Sequence, residues 1–263
     1  MAQPSDTPPP PAPAREEPGP PFPVVRVVSI GAPLRWIARG ASDLKACAIP
    51  SLFYGFCFAA MGLLLTVIFR HAYQYTSALT SGFLLLGPFL AMGTYELSRR
   101  RERGEPCALL PTLTVWRRNA SNIGVFAVVL GVIFLVWARA SLVIFALFYT
   151  GEMPSLAGFV AQIVSMQNLD FLAAYFGVGL IFAFVAFAAS VVSIPLMLDR
   201  NQDAVSSMIA SFAALLRNPG AMLVWAALIV SLTLIGFLTF HVGLVVMMPL
   251  IGHATWHAYR DLV

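Results

Sequence analysis

The stretch FLAAYFGVGLIFAFVAFAASVVSIPLML (171–198) runs for 28 residues without a charged side chain. At 1.5 Å of rise per residue, a helix of that length exceeds a hydrocarbon core of about 30 Å, which needs roughly 20 apolar residues. Its apolar residues are continuous. Strands of an outer-membrane barrel would instead alternate apolar and polar over about ten residues, so the segment reads as a spanning helix. Working outward, the same pattern recurs at 50–69, 77–98, 122–138, 221–238 and 242–256. The expected fold is therefore an all-α polytopic bundle with six transmembrane helices. Arg139 ends the third span, and the apolar run 140–149 that follows is expected to lie along or re-enter the outer interface. The fourth is long enough to tilt.

Composition agrees, with 59% hydrophobic and 11% charged residues and a mean hydropathy of +0.81, far from the balance of a water-soluble domain. Residues 1–23 stand apart, because ten of the nineteen prolines fall there and the run Pro8, Pro9, Pro10, Pro11 excludes helix and sheet. They read as a disordered or polyproline tail before a membrane domain at 24–263, suited to docking by a proline-recognising partner, and without the pattern of a secretory signal. Cys47, Cys57 and Cys107 are odd in number and suggest no disulfide framework, so reduced thiols are expected.

Orientation follows from the cations, since Lys and Arg accumulate on cytoplasmic loops. With both termini inside, all 16 Lys and Arg residues except Arg70 and Arg139 fall on the cytoplasmic side. Arg99, Arg100, Arg101, Arg117, Arg118 and Arg217 are then expected at the membrane surface, where anionic headgroups account for the net charge of +4 without nucleic acid. Trp36, Trp116 and Trp256 are expected to anchor in the same interface.

Pairing the spans reveals three related units. Each opens with a cytoplasmic amphipathic segment: LRWIARGASDLKA (34–46), LTVWRRNASN (113–122) and IASFAALLRNPG (209–220). Each then goes out through one helix and returns through another that carries a proline: LLLGPFLAMGTYE (84–96), VVSIPLMLDRNQD (191–203) and VVMMPLIGHATWH (245–257). Units running in the same sense imply a pseudo-threefold axis along the membrane normal. Alignment on the prolines places Met92, Asp199 and His253 four residues on, and Glu96, Asp203 and His257 eight residues on. Both offsets keep one helical face. Around an axis, Glu96, Asp199, Asp203, His253 and His257 would form a polar cluster near the cytoplasmic mouth. Such a cluster can bind a cation or relay protons, or its members can simply be solvated or paired with neighbouring arginines at headgroup depth.

His253 and His257 share a face at i, i+4, but two imidazoles are not a metal site, and no HExxH or CxxC supplies the rest. P-loop, GxSxG and dinucleotide fingerprints are missing too, so neither cofactor nor metal is expected. GVGL (177–180) reads as close helix packing.

The strings PLIGHATWHAYRDLV (249–263) and FLLLGPFLAMGTYELSRRRERGE (83–105) resemble the bacterial integral-membrane family catalogued as domain of unknown function 2189, over roughly residues 27–263. The resemblance implies an inner-membrane helical protein of unestablished activity, and some members carry a cytochrome c oxidase subunit label. A catalytic haem-copper subunit needs about six histidine ligands, and this chain has four histidines in all. Two function classes follow: a structural or accessory component in contact with lipids and a membrane complex, or a small-solute or ion transporter using the polar cluster. A membrane enzyme is the weaker third.

Overall fold

The computed structural model describes residues 23–71, 76–148, 165–166 and 168–263, with backbone alone over 69–71 and 76–86. The tail assigned to 1–23 lies outside them except for Pro23, as does the outer connection at 149–164.

Among the described residues every regular element is helical: α1 (Ala32–Ala46), α2 (Ala48–His71), α3 (Thr76–Glu102), α4 (Leu109–Thr112), a 3₁₀ turn (Val115–Asn119), α5 (Ala120–Phe148), α6 (Leu169–Ser190), α7 (Ser193–Arg200), α8 (Ala204–Arg217), α9 (Pro219–Leu238) and α10 (Leu244–Leu262). The chain is an all-α membrane bundle. Among the described residues, four segments are long and apolar enough to cross a bilayer: Ala48–Ile68, Leu109–Phe148, Leu169–Arg200 and Pro219–Leu238. The second and sixth expected spans fall on α3 and α10. Both are helices of sufficient length whose basic ends carry charged side chains, Glu96 to Glu102 on α3 and Arg260 and Asp261 on α10.

The helices pack as three units, α1–α3, α4–α7 and α8–α10. In each, the outgoing helix (α2, α5, α9) forms a hairpin with its own returning helix (α3, α6, α10). The leading segment of each unit packs instead on the returning element of the unit before it, in a cycle: α1 on α10, α4 and the 3₁₀ turn on α3, and α8 on α6 and α7. At or just after each returning proline lies a buried stretch at the basic end: residues 92–99, 193–198 and 251–259. These stretches hold Met92, Leu97, Leu196, Met197, Trp256 and Tyr259, each at most 1% exposed.

The cycle needs close helix approach. A Cβ on Gly55 of α2 would lie 1.9 Å from the Val245 carbonyl oxygen, and one on Gly40 of α1 would lie 2.7 Å from the Ala254 nitrogen. Of the glycines at 177 and 179, Gly179 abuts the Trp137 ring while Gly177 faces open space.

Three expectations need correction. Arg139 does not end a helix: α5 continues through it to Phe148, so the described part of the 140–149 run extends the same helix. The fourth expected span breaks at Val191–Val192, between α6 and α7. Pro195 explains the break, because its ring clashes with the carbonyl four residues back and it has no N–H. Side chains compensate: the Val192 N–H donates to Ser211 Oγ at 3.4 Å, and Ser193 Oγ donates to the Ala189 and Ser207 carbonyls. Finally, Cys47 and Cys107, 60 residues apart, are joined by a disulfide with a Cα–Cα distance of 5.4 Å, and Cys57 alone is free. Spacing in the chain carried no sign of that pairing.

Substituting Gly55→Ala should lower stability by about 1–3 kcal/mol through forced separation of α2 and α10. Gly124→Ala, where a Cβ meets nothing within 4 Å, should leave stability unchanged or raise it. Thermal unfolding of both variants in lipid nanodiscs checks the pair.

Candidate functional site

Polar side chains gather where α1, α2, α3 and α10 meet at the basic end. On α1 the buried stripe Trp36, Gly40, Asp43 and Cys47 follows helical spacing, and it places a carboxylate among apolar neighbours. Asp43, 5% exposed, accepts hydrogen bonds from Ser98 Oγ at 2.5 Å and His257 Nε2 at 2.8 Å, and pairs with Arg101. Because the single Ser98 hydroxyl proton goes to Asp43, the His253 Nδ1 atom, 2.7 Å away, must donate to Ser98. His253 Nε2 then accepts from Ser51 Oγ at 2.8 Å. A neutral, Nδ1-protonated His253 thus satisfies every partner in the chain Ser51, His253, Ser98, Asp43. Both ring nitrogens are engaged, which leaves no lone pair for a metal.

Burial alone would push the Asp43 carboxyl up; the hydrogen bonds from His257 and Ser98, with the two nearby imidazoles, outweigh it and hold the group below the ordinary carboxylate value. Asp261 behaves similarly. Burial raises it, but Arg39 and the Trp36 indole N–H, at 2.8 Å, bring it below the usual range.

The five residues expected to cluster are distributed over several partners. His257 lies 3.9 Å from Glu102, which pairs with Arg260 at 3.3 Å; Arg260 in turn faces Asp199 at 3.5 Å. Asp199 also accepts from the Tyr259 hydroxyl at 2.8 Å and lies 3.8 Å from Arg103. His253, His257 and Asp199 therefore belong to one polar network. Glu96, 1% exposed, stands in a separate clamp, held by two bonds each from Arg99 (2.7 and 2.8 Å) and Arg118 (2.9 and 3.1 Å). Asp203 is the N-cap of α8, accepting from the Ser206 N–H at 2.8 Å.

The expected surface cations also divide. Arg99 is buried against Glu96, and Arg101 serves Asp43 and Ser42. Arg100 bonds the Pro106 carbonyl and pairs with Glu105. Arg217 donates to the Val25 carbonyl, and Arg117 lies over the exposed Trp116 ring at 5.4 Å. Trp36 and Trp256 are not interfacial anchors, as they are at most 1% exposed within the bundle core.

Asp43 and its serines escaped the sequence reading because proline alignment weighs only the returning helices. The available signal was a lone acid on the buried stripe of an amphipathic helix. Between α3, α5 and α7 sits a cavity of about 10 Å³, room for at most one water, lined entirely by Pro88, Phe89, Met92, Ile123, Phe126, Ala127, Leu130 and Ile194.

Ser98→Ala should cost about 1–3 kcal/mol, because it strands both the His253 N–H and one Asp43 lone pair. Asp43→Asn should cost about 2 kcal/mol, moderated by the partial exposure of Arg101. Since the folded carboxyl is depressed, Asp43 contributes fully above its unfolded value near 3.8 and the contribution is lost as pH falls through the lower folded value. Unfolding followed from about pH 5 to about pH 2 should therefore show a shallower acid limb in the Asn variant.

The model of the family described as "Predicted integral membrane protein (DUF2189)" matches residues 76–199, from the start of α3 to the penultimate residue of α7. It takes in the 83–105 string, Glu96, Cys107 and Asp199, and ends before GHATWHAYRD. No curated protein and no solved structure matches the chain. Over α3 to α7, the chain is similar to the DUF2189 family of predicted integral membrane proteins.

Proposed function

We propose that the protein is a structural or accessory component of a bacterial inner membrane, spanning it six times with both termini in the cytoplasm, and that it works by holding lipids or a larger membrane complex. The observation that carries this reading is the apolar packing between α3, α5 and α7. The cavity there is small and lined by apolar side chains alone, whereas a solute path requires a polar, water-filled one. Ser51, His253, Ser98, Asp43 and His257 are engaged with one another, as expected of a network that fixes helix positions. Ser51 and Ser98, which hydrogen-bond His253, are fully buried.

The outer faces support the same conclusion. α8 presents Val205, Ile209, Phe212 and Leu216 along one exposed stripe, and the α4 region presents Leu110, Leu113 and Trp116 beside Arg117. Apolar stripes next to cations are the chemistry of segments lying in a bilayer interface. The cations of α1, the end of α3, the 3₁₀ turn and α10 meet at one end through the ion pairs described, with Asp199 of α7 among their partners, and a shared basic end favours the cytoplasmic side.

Two measurements test the reading. Cysteines placed at Ser206 and at Val242, in the turn between α9 and α10, should react oppositely with an impermeant maleimide in intact cells: Val242→Cys labelled, Ser206→Cys protected. The reverse pattern would invert the topology. Crosslinking in the native membrane followed by mass identification should recover a stoichiometric partner or a retained lipid; a solitary, lipid-free monomer would contradict the proposal.

A further inference from the structure

The three units are fastened at three equivalent junctions, and one of them differs in kind. In each unit, the residue between the leading segment and the outgoing helix reaches to the connection that precedes the next unit's leading segment. Asn119 Nδ2 donates to the Gln202 carbonyl at 2.8 Å and to the Met197 carbonyl at 3.1 Å. Asn218 Nδ2 donates to the Arg26 carbonyl at 3.0 Å, while its Oδ1 accepts from the Val28 N–H at 2.8 Å. At the corresponding place in the first unit stands Cys47, bonded to Cys107 in the connection between α3 and α4. Two clasps are amide hydrogen bonds, indifferent to redox conditions. The third is a covalent bond that thiols can open.

We propose that Cys47 and Cys107 form a reversible thiol–disulfide couple, exchanging with low-molecular-weight thiols and disulfides, that locks and releases the connection between α3 and α4. The surroundings suit exchange at one sulfur. Cys47 is 1% exposed, whereas Cys107 is half-buried in a connection whose neighbours Gly104 and Pro106 are exposed. An incoming thiolate attacks Cys107 Sγ, forming a mixed disulfide and breaking the bond to Cys47, which leaves as a thiolate and takes up a proton. A second external thiol then attacks the mixed disulfide at its external sulfur, freeing Cys107. In sum, the protein disulfide and two external thiols give two protein thiols and one external disulfide. Locking is the same exchange run backward.

What the bond governs follows from the remaining ties. With the disulfide open, the connection is held to the end of α3 by Arg100 on the Pro106 carbonyl and on Glu105 and by the Glu105 N–H on the Arg100 carbonyl, and to α7 by Arg103 beside Asp199. The hydrogen bond between the Tyr54 hydroxyl and Thr112 at 2.6 Å and the pairing of Arg118 with Glu96 lie beyond α4's start, so the segment from Arg103 to Ala108 loses its covalent tie to α1. A sulfur pair at the basic end would meet the reducing cytoplasm, a point that rests on the orientation proposed above. Exchange chemistry itself does not depend on it.

The test uses the full chain in lipid nanodiscs, equilibrated over graded ratios of reduced to oxidised glutathione, acid-quenched and tagged with a mass-shifting maleimide. Cys47 and Cys107 should become taggable together in one transition. In parallel, trypsin cleavage after Arg103 should rise roughly tenfold as the pair opens, since local opening governs proteolysis. Replacing Cys47→Ser and Cys107→Ser together should give the open cleavage rate at every ratio. The proposal is overturned if both thiols tag at every ratio, if neither is ever reduced, or if cleavage ignores the state of the pair. A labelled Ser206→Cys in intact cells would overturn the orientation alone and leave this titration standing.

Discussion

The basic end of the bundle depends on burying α10. From Ile251 to Tyr259 that helix is enclosed on every side, yet it carries two histidines and a threonine. A buried polar group without a partner costs about 1–3 kcal/mol, and both nitrogens of His253 and Nε2 of His257 are answered from neighbouring helices. Asp43 of α1, Ser51 of α2 and Ser98 of α3 do this for His253 and His257. Those three helices can reach α10 only because Gly40, Gly55 and Gly252 remove the side chains that would hold them away. The packing and the polar network are thus one constraint: neither closes without the other.

The same logic, repeated around the molecule, gives the three-unit arrangement its cohesion. Each leading segment rests on the returning element of the unit before it, so no unit is complete by itself. Charged contacts follow the cycle. Arg39 of α1 meets Asp261 of α10, and Arg118 of the 3₁₀ turn meets Glu96 of α3. At the third interface hydroxyls replace charges, with Ser193 donating to the Ser207 carbonyl. The junction clasps at Cys47, Asn119 and Asn218 close each step. A structure that spends its polar groups in this way is suited to hold a shape in the membrane rather than to open a path through it.

Much of the helical layout was legible because apolar runs and returning prolines are local signals. The three leading segments and the placement of Pro88, Pro195 and Pro249 come from short windows of sequence. What was not legible lies between windows. The disulfide joins residues separated by 60 positions, and Asp43 meets His257 across more than two hundred. The returning prolines also differ in effect in ways their local sequence does not show. Pro88 and Pro249 are absorbed inside continuous helices, whereas Pro195 separates α6 from α7 because Ser193 and Ser211 take over the lost backbone bonds. The cluster expected from proline alignment is likewise split: His253, His257 and Asp199 share a network, Glu96 has its own pair of arginines, and Asp203 caps a helix.

The cyclic closure is the central claim, and its most demanding contact is the last one, where the segment ahead of α1 reaches the start of α9. There the Ile30 side chain comes within 3.2 Å of the position a Cβ would occupy on Gly220. A benzophenone amino acid incorporated at Ile30, irradiated in the native membrane and analysed by peptide mapping, measures that contact directly. Capture of the peptide around Gly220 within the same chain is the predicted result. Capture of α3 or α5, or of a second chain, would contradict the closed three-unit ring.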